Sequence, residues 1–242
     1  MTLKSRQIVP NIQTERKSKT MIQMTVTSGN YREATGVALC TNHTGKMRGL
    51  WSMSTSPLCN ALCKCRAKAE GSICQKCYSM EMQNQYSDLA RVLQRNTEIL
   101  TSQILEITPV IGCKSGLFRF ESFGDLNNTI QVVNYFRVAR ENGGAKCCLF
   151  TKNAHIIREA VEEFDLVKPK NLQIIGSSYQ INEPMTEYYR QFDFIDRVFT
   201  VYDKEYVAKH GIEITCGARS CRGCRKCYEG THESYEIREL LK

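Results

Sequence analysis

The sequence predicts an α/β protein, specifically a partial (β/α)6 TIM-like barrel with cysteine-rich loops at the carboxyl ends of its strands. Short apolar segments alternate with segments of helical periodicity along most of the chain. Helices of this size between strands favour parallel pairing with crossover connections. Both cysteine clusters directly follow predicted strands. A doubly wound sheet is the alternative arrangement of the same elements.

The predicted strands are short and rich in apolar residues. They cover residues 49–53, 116–124, 146–151, 171–176, 197–201 and 211–215. The predicted helices have apolar residues three or four positions apart, which gives each helix one buried face. They cover residues 86–105, 130–142, 156–164, 185–192 and 204–210. In either arrangement, we expect ligand-contacting groups in the loops after the strands.

The composition excludes several classes of protein. The chain has 242 residues, 42% of them hydrophobic and 24% charged, which is enough for a buried core and excludes a disordered or collagen-like chain. No stretch reaches the roughly 20 apolar residues of a membrane-spanning helix, and the N-terminus lacks an apolar signal segment. We therefore expect a cytoplasmic protein with no membrane contact.

The charge suggests two parts of different character. The net charge of +8 is compatible with nucleic acid as a partner but too diffuse to demonstrate one. Residues 1–35 are polar and basic, so we expect an N-terminal arm, with a solvated tail favoured over a nucleic-acid contact. Residues 36–242 are expected to form a single α/β domain with cysteine clusters at 59–77 and 216–227.

Thirteen cysteines are unusually many for a chain without an export signal. Cytosolic thiols stay reduced, so metal binding is a better explanation than disulfides. The odd total also argues against a fully paired disulfide framework. Cys113, Cys147 and Cys148 are expected to be inert thiols, and Cys40 is left out of the ligand set.

Nine cysteines have the spacing of metal ligands. The first cluster contains Cys-x3-Cys-x-Cys and then Cys-x2-Cys, and the second contains Cys-x2-Cys-x2-Cys. Two-residue gaps let one turn aim successive sulfurs at a metal, and the overlapping triplet is typical of [4Fe-4S] proteins. We expect one or two [4Fe-4S] clusters, with a structural zinc site as the alternative and no metal as a third possibility. The predicted ligands are Cys59, Cys63, Cys65, Cys74, Cys77, Cys216, Cys221, Cys224 and Cys227.

The end of the predicted strand 116–124 carries two candidate catalytic residues, Glu121 and Asp125. Polar groups at this position commonly contact ligands in barrel and sheet enzymes, although an ordinary turn with an N-cap aspartate is the alternative. The candidate cofactor-binding residues, at the ends of this strand and the next two, are Ser122, Gly124, Lys152 and Ser177. The sequence has no Walker loop, no GxGxxG after a strand and no GxSxG elbow.

The order strand, cysteine loop, helix and then Phe-Glu-Ser-Phe-Gly-Asp resembles the core of radical S-adenosylmethionine enzymes. The resemblance implies a partial barrel with a [4Fe-4S] cluster held by three cysteines after the first strand. Cys59, Cys63 and one of Cys65, Cys74 or Cys77 would be those ligands. It also implies S-adenosylmethionine as a cofactor, held through the segment 121–125.

A second resemblance covers about residues 45–230. The segments Ser-Thr-Ser-Pro-Leu-Cys, Cys-Gln-Lys-Cys-Tyr, Phe-Arg-Phe-Glu-Ser-Phe-Gly-Asp and the terminal Cys-x2-Cys-x2-Cys-Tyr are similar to those of the gene product eighty-eight family of phages and mobile elements. This resemblance implies a phage ancestry and brings no assigned activity.

Two functional hypotheses follow from these features. The first is an iron-sulfur protein with redox or radical enzyme chemistry on a small molecule, or with an electron-transfer partner. The second is a zinc-stapled, basic nucleic-acid-binding protein of a phage or mobile element, whose arm and loop 219–226 contact phosphates. An electron carrier or structural protein without a substrate is a third alternative.

Overall fold

The computed structural model describes residues 28–41, 45–106, 116–230 and 234–241. The strands in these ranges are β1 (Cys40–Thr41), β2 (Trp51–Met53), β3 (Leu117–Phe120), β4 (Lys146–Thr151), β5 (Leu172–Ser177), β6 (Arg197–Tyr202) and β7 (Glu236–Leu240). The α-helices are α1 (Ser28–Thr35), α2 (Ala61–Arg66), α3 (Tyr78–Gln85), α4 (Ser87–Ser102), α5 (Thr129–Glu141), α6 (Ala154–Phe164), α7 (Thr186–Arg190), α8 (Lys204–His210) and α9 (Cys221–Cys224). Two 3-10 helices cover Pro57–Cys59 and Ile73–Lys76.

The seven strands form one open, mostly parallel sheet in sequence order from β1 to β7. Only β1 runs antiparallel to its neighbour, and β2 to β7 are parallel. The predicted mixed α/β class with parallel strands is therefore confirmed. The sheet does not close, and the TIM-like character of the predicted barrel stays a prediction.

Alternating side chains give the sheet two different faces. On β3, Phe118 and Phe120 pack into the main hydrophobic core, whereas Leu117 joins a smaller cluster with Cys148 and Tyr228. This period of two is the geometry of a strand. Helices α4 to α7 cover the main core through Leu100, Tyr135, Ile157 and Tyr189. We call the opposite face the inner face, and it carries Leu117, Arg119, Cys148, Phe150 and Phe199.

The prediction of a strand at residues 211–215 is wrong. This segment forms no regular strand. Its end lies beside β7, where the Thr215 and Cys216 amides both donate to the Arg238 carbonyl. The last strand is instead β7, which pairs with β6. The sequence pattern did not reveal β7, because Glu-Ile-Arg-Glu-Leu has little apolar character. Consequently, the second cysteine cluster precedes the last strand and does not follow a strand's carboxyl end.

Part of the predicted N-terminal arm is described. Residues 28–35 form α1, and Tyr31 is buried in the main core. Residues 1–27 of that arm, together with Cys113, lie outside the described residues. Among the described helices, none combines the length and apolar character needed to cross a membrane.

Candidate metal and ligand site

The loop after β3 is built around the buried carboxylate of Glu121. Its oxygens accept hydrogen bonds from the Thr55 backbone amide at 3.2 Å, the Thr55 hydroxyl at 3.0 Å and the Gly124 amide at 3.1 Å. The Gln131 side-chain amide donates at 2.6 Å, and the Tyr135 hydroxyl donates as well. Thus Glu121, a predicted catalytic residue, connects the segment after β2, the loop after β3 and α5.

Glu121 also has a strained backbone conformation and a raised pKa. Its φ of 55° lies in the left-handed region, which a non-glycine residue adopts at a cost of about 1 kcal/mol or more. Burial raises the pKa of Glu121 to about 7, although hydrogen bonds from Tyr135 and Thr55 act in the opposite direction. Both features are typical of residues at functional sites.

Gly124 has a packing role in this loop. A Cβ atom built on it would lie 2.6 Å from the Thr55 carbonyl oxygen and 2.7 Å from Glu121 Oε2. No side chain fits there without displacing the backbone. Gly124, predicted as a cofactor-binding residue, therefore packs closely against Thr55 and Glu121.

Asp125 connects the ends of β3 and β4. One of its carboxylate oxygens accepts from the Leu126 amide at 2.8 Å and the Thr151 hydroxyl at 2.6 Å. The other accepts from the Lys152 amide at 2.9 Å. The carbonyl oxygens of Asp125 and Leu126 each receive a 3.0 Å hydrogen bond from Asn60 Nδ2. This Asn60 contact attaches the first cysteine segment to the loop.

Three cysteines of the first cluster lie near this loop and near one another. The ammonium group of Lys152 interacts electrostatically with Cys74, Asp125, Cys63 and Cys77. Burial raises the pKa of the Cys63 thiol, and the nearby Asp125, Cys74 and Cys77 raise it further while Lys152 lowers it. We call Cys63, Cys74 and Cys77 the first thiol group.

Local structure explains how these thiols are positioned. Asn60 caps α2 by accepting from the Cys63 amide at 3.0 Å, and Ser72 caps the following 3-10 helix by accepting from the Cys74 amide at 3.1 Å. Such caps satisfy free amides at a helix start and fix its direction. Cys59 and Cys65, two other predicted ligands, are exposed.

The second cluster surrounds one pocket over the inner face. Cys216, Cys221, Cys224 and Cys227 all line it, and its empty volume, including space open to solvent, is about 350 Å³. We call these four residues the second thiol group. The structure thus brings together every predicted ligand of the second cluster.

Cations border the second thiol group. Lys46, Arg225 and Lys226 line the same pocket. Lys46 Nζ lies 3.6 Å from Cys216 Sγ and donates to the Cys216 carbonyl at 2.8 Å. Burial raises the pKa values of the Cys216, Cys221 and Cys227 thiols.

Arg119 lies near the second thiol group, and the sequence analysis missed it. Its guanidinium is 4.2 Å from the centroid of the Phe150 ring and interacts electrostatically with Cys148, Tyr78, Tyr228 and Cys227. An arginine inside the strand Leu-Phe-Arg-Phe is the signal that identifies it, because charged side chains are rare in short strands that are otherwise apolar and buried.

The remaining candidate residues differ in their surroundings. Ser122 is 3% exposed, and its hydroxyl is a buried polar atom without a partner in the described part of the chain. Ser177 is also buried, and its carbonyl oxygen accepts from the Tyr189 hydroxyl at 2.8 Å. Cys147 and Cys148 are buried on opposite faces of β4, as predicted for adjacent strand residues.

Neither thiol group is arranged as a finished metal site. Within the described ranges, no three cysteine, histidine, aspartate or glutamate side chains are placed to hold one ion. Metal binding at either group would therefore require the thiols to reorient.

Comparison with known proteins adds the family. A family model described as Gene product 88 matches residues 11–236. The chain belongs to the gene product 88 family. The match spans both thiol groups and the loop after β3, and it confirms the family resemblance found in the sequence motifs. Comparison with curated proteins and with solved structures gives no match. The resemblance to radical S-adenosylmethionine enzymes stays a prediction.

Proposed function

We propose that this member of the gene product 88 family is an iron-sulfur protein in which each thiol group holds a cluster, of the [4Fe-4S] type, on a partial (β/α)6 barrel. Its role would be redox or radical chemistry on a small molecule between the two groups. The observation that carries the proposal is the convergence of four cysteines on one pocket over the inner face. Thiolate sulfur is the ligand that iron-sulfur clusters require.

The spacing within the second thiol group supports iron over zinc. Cys221, Cys224 and Cys227 are separated by two residues each, so three sulfurs come from a single short turn around α9. Structural zinc sites usually combine two separated pairs. Cys216, whose amide donates to the Arg238 carbonyl of β7, would be the fourth ligand.

Charge around the second thiol group supports a multiply charged occupant. A [4Fe-4S] cluster with four thiolates carries a net negative charge, and Lys46, Arg225 and Lys226 line the pocket. Such nearby cations stabilise a negative cluster and raise its reduction potential. One of these cations, Arg225, has a φ of 58°, a strained conformation that occurs at functional sites.

A contact across the sheet supports the proposed barrel. Lys46, in the segment before β2, has its ammonium 2.9 Å from Glu239 on β7. In a flat sheet, strands β2 and β7 would be about 24 Å apart at the usual spacing. A curled sheet, with its helices outside and its thiols inside, would bring these two ends closer together.

The first thiol group would supply three ligands, the number typical of a cluster with one open iron site. Cys63, Cys74 and Cys77 lie next to Lys152 and Asp125. A cluster at that position would have an iron available for a ligand. Exposed Cys59 is a candidate fourth ligand, since it lies only four positions before Cys63.

Anaerobic purification with iron, sulfide and zinc analysis tests the proposal. We expect about eight iron and eight sulfide per chain, and reduced protein should give an electron paramagnetic resonance signal. The triple variants C63A/C74A/C77A and C221A/C224A/C227A should each lose about half of the iron. Cys40→Ala, outside both groups, is the control and should keep the wild-type iron content.

A colourless protein with stoichiometric zinc, no sulfide and no iron after iron-replete anaerobic preparation would overturn the proposal. That result would favour the zinc-stapled alternative. The nucleic-acid contacts of that alternative stay a prediction. Arg219 and Arg222 are the exposed arginines of the second cysteine loop that would make them, whereas Arg225 forms an ion pair with Glu229 at 3.1 Å.

A further inference from the structure

Two loops of the protein lie in segments that contain basic residues but no acidic ones. The segments 34–69 and 214–228 have no aspartate and no glutamate. The first segment contains loop 45–49, and the second contains loop 217–226. Positive charge in these loops is therefore not balanced by neighbours along the chain, and only contacts with other segments can neutralise it.

The two loops lie side by side. The Cys221 amide donates to the Lys46 carbonyl at 2.8 Å. A Cβ atom built on Gly49 would lie 3.3 Å from Arg222 Nη1, so the Arg222 guanidinium reaches the other loop. Both loops therefore belong to one continuous surface, which we call the two-loop surface.

Two cations of the two-loop surface are neutralised by acidic side chains from outside it. The Lys46 ammonium lies 2.9 Å from a carboxylate oxygen of Glu239. The Arg225 guanidinium lies 3.1 Å from a carboxylate oxygen of Glu229. Because each of these cations has an opposite charge at its side, neither contributes much to the attraction of another anion.

Three arginines of the two-loop surface are exposed and form no ion pair within the described ranges. They are Arg48, Arg219 and Arg222. Arg219 stands between Ala218 and Ser220, which both line the pocket of the second thiol group. The guanidinium groups of the three arginines are therefore available to a partner that approaches from solvent.

We propose that the two-loop surface binds the phosphate backbone of a double-stranded nucleic acid, with Arg48, Arg219 and Arg222 as its contacts. The planar guanidinium group matches the oxygens of a phosphate, and the net charge of +8 attracts a polyanion at longer range. Neither loop contains an aromatic residue on which an unpaired base could stack, which disfavours a single strand. This inference goes beyond the proposed function and holds for whichever metal the thiol groups bind.

Fluorescence anisotropy at several salt concentrations tests the inference on anaerobically purified protein that retains its metal. The probes are a labelled DNA duplex and a labelled RNA duplex of about 20 base pairs and mixed sequence. We expect the logarithm of the association constant to fall linearly with the logarithm of the salt concentration. R219Q/R222Q should reduce this slope by about 1.8 and weaken binding at low salt at least about tenfold, because each lost phosphate contact removes about 0.9 from the slope. Arg48→Gln alone should reduce the slope by about 0.9.

The double variant R91Q/R95Q is the matched control. It removes the same charge from exposed positions on α4, a helix that packs on the main core on the other side of the sheet. Its salt slope should equal that of the wild type, and its affinity should change less than about twofold. Circular dichroism and metal analysis of each variant verify that a change in binding does not come from unfolding or lost metal.

Four results overturn the inference. Neither duplex binds in a salt-dependent manner, or R219Q/R222Q keeps the wild-type slope. Polyglutamate displaces the duplex at an equal concentration of charge, which would indicate an acidic protein as the partner. A single strand of the same length binds more tightly than the duplex. None of these results bears on the proposed iron-sulfur function, which is tested by metal and sulfide content.

Discussion

At the scale of single residues, Glu121 shows how position in the sequence and role in the structure differ. Its location at a strand end suggested catalysis, and the carboxylate is in fact enclosed by donors from three segments. Thr55 is 66 positions away along the chain and Tyr135 is 14. Such distant partners leave no periodic trace in a sequence. The strand end was predictable, whereas the hydrogen-bond network was not.

The raised pKa of Glu121 leads to a prediction about pH and stability. Its folded pKa, about 7, lies above the ordinary value of 4.5. The protonated Glu121 carboxyl group adds roughly 3 kcal/mol to the free energy of unfolding below pH 4.5. This stabilisation is lost as the pH rises through 7. Glu121→Gln stays neutral, so its unfolding free energy should lack this decline. Denaturant unfolding at several pH values measures the difference; equal pH slopes in both proteins would contradict it.

Gly124 allows a sharper test of packing. Gly124→Ala should lower the unfolding free energy by about 2 kcal/mol, because the added methyl group overlaps Thr55 and Glu121. Gly144→Ala is the matched control, since a Cβ there meets nothing within 4 Å. Chemical denaturation compares the two. Equal stability of the two variants would show that the loop yields to the added methyl group at little cost.

At the scale of elements, the first cysteine segment depends on one asparagine. Asn60 caps α2 through the Cys63 amide and binds the carbonyls of Asp125 and Leu126. The sequence pattern predicted the cysteines as a group, but Asn60 attaches them to a loop that is distant along the chain. For this reason it was not predictable which thiols converge.

Asn60→Ala should destabilise the protein by about 2 kcal/mol and expose Cys63. Alkylation of Cys63, followed by mass spectrometry after chelation under reducing conditions, should be several times faster in the variant. Asn128 is a comparable cap, because it caps α5 and also donates to the Thr101 carbonyl. Asn128→Ala should therefore leave the alkylation rate of Cys63 unchanged. Equal acceleration in both variants would mean that general loosening, and not the anchor, protects Cys63.

At the scale of the whole molecule, the second cysteine loop spans the inner face. It is tied to the region before β2, since the Cys221 amide donates to the Lys46 carbonyl at 2.8 Å, and to β4 through the Lys146–Glu229 ion pair at 2.6 Å. Lys46 also reaches Glu239 on β7. The loop therefore joins distant parts of the sheet over the inner face.

Lys46→Met should loosen this loop. Because the Lys46–Glu239 pair is only 25% exposed on each side, its loss should speed proteinase K cleavage between residues 211 and 230 about fivefold. Lys168→Met breaks an equally buried pair with Asp196 elsewhere and is the control. Mass spectrometry locates the cuts. Cleavage of this loop at the wild-type rate in Lys46→Met would contradict a role for Lys46 in holding it.

The sequence by itself determined the alternation of strands and helices, the family and the two clusters of cysteines, because periodicity and spacing are local properties of a chain. Only the tertiary structure decided that Lys152 lies near Cys63, Cys74 and Cys77, that the second cluster surrounds a pocket over the inner face, and that Arg119 lies near Cys148 and Cys227. These relations arise from sheet pairing and burial, which join residues far apart in sequence.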